Sequence, residues 1–316
     1  MDQVRLPATA RTAAAVLLLG LSASCRKSTS LEPPRPPPLA PAQSCTSEFP
    51  GLPLAELPPP ARAEFCRFAK DTLCYCGCPH SLAGCLKNHP SCPHASRMAA
   101  IALGELAMGA TAERAEQSVS AYYDSFKPGS RVHFDVARLP CMGSPDAKVT
   151  LVEFSDFDCP HCREARPLLE NTVQKRSDVR LCFMPFPIHP HSMIAAEAAT
   201  YAVEKGDFWK LHDLLFDDQA ARASLDEMAY TEEILRLGEK AGLDRQGLVA
   251  ALHDEGIKAA IEKEQATART LGVDGTPFIF LNGRPLPPIT PELLDLTIGD
   301  ELEWISHGGA WAKDKD

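Results

Sequence analysis

The chain has 316 residues, 45% of them hydrophobic, which suffices to bury the core of one good-sized domain and a second small one. Its formal net charge is -10 at pH 7, its sequence pI is about 5.5, and no long basic run occurs. This balance argues against a nucleic-acid partner. Twelve cysteines are many for a cytosolic enzyme and favour an oxidising compartment.

The N-terminus has the features of an export signal. Arg5 and Arg11 precede an apolar run from Ala13 to Leu21, which is followed by three small residues and Cys25. The run is too short to span a bilayer as a mature helix, so it predicts a signal peptide over residues 1–24. It resembles a bacterial lipoprotein signal, which implies lipidation of Cys25; ordinary cleavage nearby is the alternative.

The next segment divides into a tether and a small cysteine-rich part. Proline dominates residues 25–60, which favours an extended, semi-rigid tether. Residues 61–127 are predicted to form a small cysteine-rich helical domain, with helices over 61–71 and 97–126. Lys127-Pro128-Gly129 breaks the second helix and marks the predicted domain boundary.

Residues 128–316 show alternating strand and helix patterns. A buried strand, a helix and a second strand predict a β-α-β unit, and Asn282-Gly283 predicts a hairpin after a long helical insertion. The fold class is therefore α/β with a helical insertion, preceded by the small helical domain. The predicted strands are 132–136, 149–154, 179–186, 278–281 and 284–286, and the predicted helices are 159–176, several over 191–271, and 291–305.

Cys159-Pro160-His161-Cys162 follows the buried strand and opens a helix. Free backbone N–H groups and the helix dipole favour a thiolate at Cys159, and His161 can add a donor or a partial positive charge. Cys162 lies one turn inside the helix and should be less exposed. The pattern predicts a redox pair in which Cys159 exchanges with a partner's sulfur and Cys162 resolves the mixed disulfide.

A static disulfide or half of a zinc site is the alternative for these two cysteines. A zinc site would need a second ligand pair, and none occurs at suitable spacing within residues 128–316. Cys141 and Cys182 are extra thiols there. They either form a structural disulfide or remain two separate buried thiols.

Several motifs in residues 130–305 resemble those of DsbA-like disulfide oxidoreductases of the thioredoxin superfamily. The resemblance implies that Glu153, on the strand below the thiols, relays a proton to or from Cys162. It also implies that Thr276-Pro277 forms a cis peptide bond whose backbone edge pairs with a substrate peptide. A carboxylate bonded to backbone or water, and a trans proline, are the respective alternatives. The matching motifs are Leu-Val-Glu-Phe-Ser-Asp-Phe-Asp-Cys-Pro-His-Cys at 151–162, Met-Pro-Phe-Pro at 184–187, Ala-Ala-Glu-Ala-Ala at 195–199 and Gly-Thr-Pro-Phe-Ile-Phe-Leu-Asn-Gly at 275–283.

The segment from residue 74 to residue 94 is dense in soft metal ligands. Alternating cysteines pair poorly with one another, so either longer-range disulfides or a metal ion would use them, and Cu(I) and Zn(II) are both chemically reasonable. The segment resembles small envelope domains with a Cys-Tyr-Cys-Gly-Cys motif and cysteine-containing modules of the cytochrome c maturation type. The candidate ligands are Cys74, Cys76, Cys78, His80, Cys85, Cys92 and His94.

The leading prediction is an exported enzyme, anchored by lipid in the periplasm of a bacterial envelope, that exchanges disulfides with envelope proteins. Disulfide exchange requires no cofactor, and the enzyme would have a membrane-bound redox partner for recycling. The alternative is a metal-binding accessory protein of the envelope, in which the thioredoxin-like part keeps the other cysteines reduced. The direction of electron flow stays open at this point.

Overall fold

The computed structural model describes residue 45 and residues 48–127, 129–286 and 290–309. All of these belong to one compact unit, residues 43–316. The predicted signal peptide, Cys25 and most of the predicted tether lie outside the described residues. Within the described ranges, no helix is long and apolar enough to cross a membrane.

Four helices form the N-terminal helical part around a core of their own. Phe65, Leu82, Met98 and Leu106 are almost completely buried in it, and Leu293 from the C-terminal end of the chain joins them. Pro59 and Pro93 each occupy the first turn of a helix, where the missing N–H costs nothing. The bounds are α1 (Pro59–Asp71), α2 (Leu82–Asn88), α3 (Pro93–Ala107) and α4 (Ala112–Asp124).

The predicted tether over residues 25–60 is wrong at its C-terminal end. Cys45 is buried and forms a disulfide with Cys66 of α1, and Phe49 and Leu54 pack into the same helical core. Proline content suggested an extended chain, but the apolar side chains between the prolines bury enough surface to hold this segment against α1.

The single helix predicted over 97–126 is also wrong, because the structure divides it into α3 and α4. Gly109 adopts a positive φ of 85° after α3, a conformation that glycine accepts without strain. The side chain of Thr111 then accepts a hydrogen bond from the backbone N–H of Arg114 and caps α4. The helix α1 agrees with its prediction.

Five strands form one mixed sheet in the spatial order β1-β3-β2-β4-β5. Strands β2 and β3 are parallel and are joined by a helix, as predicted, whereas the other neighbours are antiparallel. The central strand β2 is buried along almost its whole length. The bounds are β1 (Cys141–Gly143), β2 (Val149–Ser155), β3 (Val179–Pro185), β4 (Phe278–Leu281) and β5 (Arg284–Pro285).

The strand predicted over 132–136 does not form. Val132 donates one backbone hydrogen bond, to the carbonyl of Gly283, and a short 3-10 turn follows at Val136–Arg138. This contact requires glycine at position 283, because a Cβ there would lie 2.0 Å from the carbonyl oxygen of Val132. The alternation of apolar and polar residues over 132–136 predicted a strand. Val132 instead pairs with Gly283 in the hairpin turn, and not with the edge of a strand.

Six helices between β3 and β4 form the predicted insertion. Its buried face packs around Phe183 and Phe208, close to both Cys159 and Cys162. The predicted α/β fold with a helical insertion is confirmed. The remaining bounds are α5 (Pro160–Lys175), α6 (Ser192–Lys205), α7 (Phe208–Asp217), α8 (Gln219–Arg222), α9 (Glu227–Ala241), α10 (Arg245–Ala251), α11 (Glu255–Thr270) and α12 (Pro291–Ser306).

Helix α12 packs against both the sheet and the helical part. Asp300 forms a buried ion pair with Arg97 of α3 and accepts a hydrogen bond from the hydroxyl of Tyr122 at 2.5 Å. The next residue, Glu301, is held by Arg284 of β5 at 2.9 Å and by Arg131 at 2.6 Å. Paired charges therefore lie in the contact between the two parts, beside the apolar packing of Leu293. The predicted boundary between two domains near residue 127 stays a prediction.

Replacing Glu301 with Leu should lower the free energy of unfolding by about 3–5 kcal/mol, because the buried guanidinium of Arg284 would lose its partner. The double variant Arg284→Met/Glu301→Leu should lose clearly less free energy of unfolding, because it leaves no unpaired guanidinium at position 284. Denaturant unfolding of the full chain measures both, with the exposed Glu113→Gln as a control that should change little. Equal losses in the single and double variants would contradict this account.

Candidate active site

The two central thiols lie at the junction between β2 and α5. Cys159 is the N-cap residue of α5, and its backbone N–H donates to the carbonyl of Asp156 at 3.0 Å. Pro160 fills the first helical position, and Cys162 follows inside the first turn. The structure therefore brings Cys159 to the helix N-terminus and Cys162 below it, as the sequence predicted, with both as free thiols.

The surroundings of the two thiols make their acidities unequal. The thiol of Cys162 and the backbone N–H groups of His161 and Cys162 stabilise the Cys159 thiolate and lower its pKa to about 5, against an opposing effect of burial. Burial raises the pKa of Cys162 far above that of an ordinary thiol, as do its hydrogen bond to Cys159 and the charge of Glu153. Near neutral pH the pair therefore holds its one negative charge on Cys159.

Glu153 is a buried carboxylic acid on β2. It is 4% exposed, and burial raises its pKa to about 7, with smaller contributions from the charges of Glu170 and Cys159. Since the same carboxyl influences the pKa of Cys162, the structure places it within electrostatic reach of that thiol. A group with this pKa is present in both protonation states near neutrality.

Thr276-Pro277 is a cis peptide bond, as the resemblance implied. The carbonyl oxygen of Thr276 accepts a hydrogen bond from the Cys159 thiol at 3.3 Å. The loop before β4 thus lies directly beside the first cysteine. Its backbone can offer hydrogen-bonding groups to an extended peptide bound at that thiol.

The two residues between the cysteines are exposed. The ring Nδ1 of His161 lies 3.3 Å from a carboxylate oxygen of Glu164, on the solvent side of α5. The contribution of His161 to the Cys159 thiolate comes through its backbone N–H. Pro160 sets the start of the helix that orients these N–H groups.

Asp156 organises the turn before Cys159, a role that the sequence analysis did not assign. Its buried carboxylate accepts from the backbone N–H groups of Asp158, Ile188 and His189 and from the hydroxyl of Ser192. It thereby ties the end of β2 to the loop after β3. An aspartate two residues before a turn amide is a local signal that could have revealed it.

Helix α8 of the insertion holds the same turn from the other side. The amide of Gln219 donates to the carbonyls of Phe157 at 2.9 Å and Cys159 at 3.0 Å. Arg222 is fully buried and pairs with Asp158 at 2.9 Å. A third group, the hydroxyl of Tyr230, donates to the same carboxylate at 2.7 Å. These residues are about 60 to 70 positions away in the chain, so no local pattern could have connected them to the thiols.

Cys141 and Cys182 form a disulfide, which decides between the two alternatives left open by the sequence. They face each other in the antiparallel register of β1 and β3. The disulfide is thus a cross-link within the sheet, separate from the dithiol at α5.

The candidate metal ligands fall into three sets. Two groups have ligand atoms within 4.8 Å of one another, and they share Cys85; the groups are Cys74, Cys76 and Cys85, and Cys78, His80 and Cys85. Cys92 belongs to neither group, although its Sγ lies 4.0 Å from that of Cys74. His94 also belongs to neither, and its Nδ1 lies 2.8 Å from the hydroxyl of Tyr123; its predicted role as a ligand stays a prediction.

Replacing Arg222 with Met should raise the pKa of Cys159 above about 5, because the carboxylate of Asp158 would lose its buried positive partner beside the thiolate. The pH dependence of thiolate absorbance and of alkylation rate at Cys159 measures this shift. The control is Arg236→Met, an exposed arginine paired with Glu233 on α9. An unchanged pKa in a folded Arg222→Met variant would show that Arg222 does not act on the thiol.

A family model described as thioredoxin matches residues 137–300, which is more than half of the chain. The probable disulfide bond formation protein D of Bacillus cereus is 32% identical over 157 residues, covering 46% of this chain and 71% of that protein. A Na(+)/H(+) antiporter NhaA 3 of Salinispora tropica is 36% identical over 145 residues, covering 45% of this chain. The match spans only 21% of that antiporter.

Among solved structures, oxidised BdbD from Bacillus subtilis aligns with a TM-score of 0.48 at 23% identity, covering 55% of this chain and 97% of that chain. The family match includes β1, the dithiol turn, the insertion and most of α12. Residues 45–127 lie outside it. The chain therefore belongs to the thioredoxin family, and the DsbA-like thioredoxin fold predicted from its sequence is confirmed.

Proposed function

We propose that this chain is an enzyme, an exported thiol:disulfide oxidoreductase that exchanges disulfides with envelope proteins through Cys159 and Cys162. The observation that carries the proposal is the unequal acidity of the two thiols, with a stabilised thiolate at Cys159 and a buried, protonated Cys162. Similarity to the probable disulfide bond formation protein D of Bacillus cereus supports it. No cofactor is required for this exchange.

In the reducing direction, the Cys159 thiolate attacks a substrate disulfide, forms a mixed disulfide and releases one substrate sulfur as a thiolate. Cys162 then gives up its proton and attacks the Cys159 sulfur. This forms the Cys159–Cys162 disulfide and releases the second substrate sulfur. Oxidation of a substrate dithiol is the same sequence in reverse. The dithiol and disulfide forms of the Cys159–Cys162 pair therefore differ by two electrons.

Glu153 would accept the proton that Cys162 loses in the second step. Its pKa of about 7 suits a group that takes up and returns a proton near neutral pH. The cis loop at Thr276-Pro277 would hold the substrate peptide by its backbone while the sulfurs exchange. Pro160 and His161 would keep the start of the helix in place.

The exchange would take place in the periplasm of a bacterial envelope. A signal peptide over residues 1–24 would direct export, and lipidation of Cys25 would anchor the chain to a membrane. A membrane-bound redox partner would then return the Cys159–Cys162 pair to its working state.

A second candidate function is that of a metal-binding accessory protein of the envelope, in which the thioredoxin-like part keeps other cysteines reduced. The observation in its favour is a group of five free cysteines in the helical part, at positions 74, 76, 78, 85 and 92. One purified full-length sample distinguishes the candidates, when it is assayed for the reduction potential of the Cys159–Cys162 pair and for bound Cu(I) or Zn(II). A Cys159–Cys162 pair that exchanges electrons reversibly at a defined potential, in a sample that contains no bound metal, favours the first candidate alone.

Replacing Cys159 with Ala should abolish disulfide exchange, whereas Cys162→Ala should accumulate mixed disulfides between Cys159 and substrate proteins, because the resolving thiol is missing. Non-reducing gels and mass spectrometry of the trapped adducts measure this. Full turnover by Cys162→Ala would show that the two thiols do not have these separate roles.

Glu153→Gln should slow the resolution step near neutral pH and have little effect in alkali, where Cys162 can lose its proton without a relay. The pH–rate profile of mixed-disulfide release measures the difference. Glu164→Gln is a matched control, since it changes an exposed carboxylate on α5 beside the same thiols. Identical profiles for Glu153→Gln and the unmodified chain would remove Glu153 from the mechanism.

A further inference from the structure

Three sulfur atoms in the helical part converge to within bonding range of a single ion. The Sγ atoms of Cys76 and Cys78 are 2.7 Å apart, those of Cys78 and Cys85 are 3.2 Å apart, and those of Cys76 and Cys85 are 3.6 Å apart. Sulfurs around a tetrahedral zinc ion, with Zn–S bonds of about 2.3 Å, are separated by roughly 3.8 Å. All three separations are shorter than this value, so the sulfurs would move apart on binding an ion.

The chain reaches this arrangement through a short closed loop between α1 and α2. Cys74 donates its backbone N–H to the carbonyl of His80 at 3.0 Å, and an antiparallel bridge joins Leu73 to Ser81. Gly77 at the tip has a φ of +82°, and among the described residues nothing beyond its chain neighbours lies close to it. This positive φ lets the chain reverse between Cys76 and Cys78. Cys85 comes from the first turn of α2.

The ring of His80 lies beside two of the three sulfurs. Its ring nitrogen and the Sγ atoms of Cys78 and Cys85 lie within 4.8 Å of one another. The Nδ1 atom of His80 is buried and has no hydrogen-bond partner among the described residues. A buried ring nitrogen without a partner is costly unless something coordinates it or bonds to it.

We propose that the thiolates of Cys76, Cys78 and Cys85, with His80 as the fourth ligand, bind one thiophilic d10 metal ion. Binding releases the three thiol protons and changes no oxidation state. The ligand set matches the Cys3His composition of structural zinc sites and also suits Cu(I), which three thiolates alone can satisfy. This assignment rests on the metal-binding candidate above and is independent of disulfide exchange at Cys159.

Of the other two cysteines, Cys74 belongs to a group with Cys76 and Cys85, so its sulfur lies next to the proposed site, whereas Cys92 does not. The Sγ atoms of Cys74 and Cys92 lie 4.0 Å apart, and Cys92 is in neither group of converging ligand atoms. Cys92 is partly exposed, as are Cys76 and Cys78. It therefore offers a matched control for removal of a sulfur from this part of the chain.

The test uses the reduced, full-length chain titrated anaerobically with Zn(II) and, separately, with Cu(I), each against a chromophoric chelator. We expect one ion per chain. Cys76→Ser and Cys78→Ser should each weaken binding by roughly 100-fold or more, since loss of even an outer-shell partner costs 10- to 100-fold. Cys92→Ser should retain the original affinity. Gly77→Val should also weaken binding although it removes no sulfur, because valine is strained at positive φ.

His80→Asn separates the two ions, and the exposed His253→Asn is its control. A loss of Zn(II) affinity with unchanged Cu(I) affinity supports the four-ligand site, with copper held by sulfur alone. Unchanged affinity for both ions overturns the role of His80. If the unmodified chain binds neither ion after reduction, the metal-binding candidate itself fails; if it binds but Cys76→Ser and Cys78→Ser bind equally well, this ligand assignment fails. Exchange activity at Cys159 is unaffected by any of these outcomes.

Discussion

Two adjacent carboxylates on α12 connect the helical part of the described structure to the sheet. Asp300 is paired with Arg97 from the helical part, and Glu301 is paired with Arg284 from the sheet. All four groups are buried, so each carboxylate needs its arginine to offset the loss of hydration. The aromatic ring of Phe126 lies 3.5 Å from the Arg284 guanidinium and closes the contact from the side of α4. The last helix thus fixes the position of the helical part relative to the sheet that carries the dithiol.

The dithiol itself depends on a turn held from two directions. Asp156 binds the turn to the loop after β3, and Gln219 and Arg222 of α8 bind its carbonyls and Asp158 from the insertion. The turn places the Cys162 thiol and the backbone N–H groups of His161 and Cys162 next to Cys159, and together they lower its pKa. The insertion therefore helps to hold the turn that carries Cys159.

The described part of the chain contains two groups of free cysteines in contrasting environments. Cys159 has backbone N–H donors that stabilise one thiolate without a metal ion. Cys76, Cys78 and Cys85 have mainly one another, so a positive ion is the natural way to stabilise several thiolates at once. In our proposals the same side chain therefore serves two purposes, disulfide exchange at α5 and ion binding at the loop before α2 and its first turn.

The sequence by itself determined the local features: the dithiol turn from Cys159 to Cys162, the parallel β-α-β unit around it, and the hairpin at Asn282-Gly283. Each follows from residues that are neighbours in the chain, where turn geometry, capping and apolar periodicity act directly. Only the tertiary structure decided which distant groups meet. It paired Cys141 with Cys182, brought Arg222 to the active-site turn, and placed His94 against Tyr123 instead of among the cysteines. These pairings depend on how helices and strands pack across long separations, which composition and spacing do not encode.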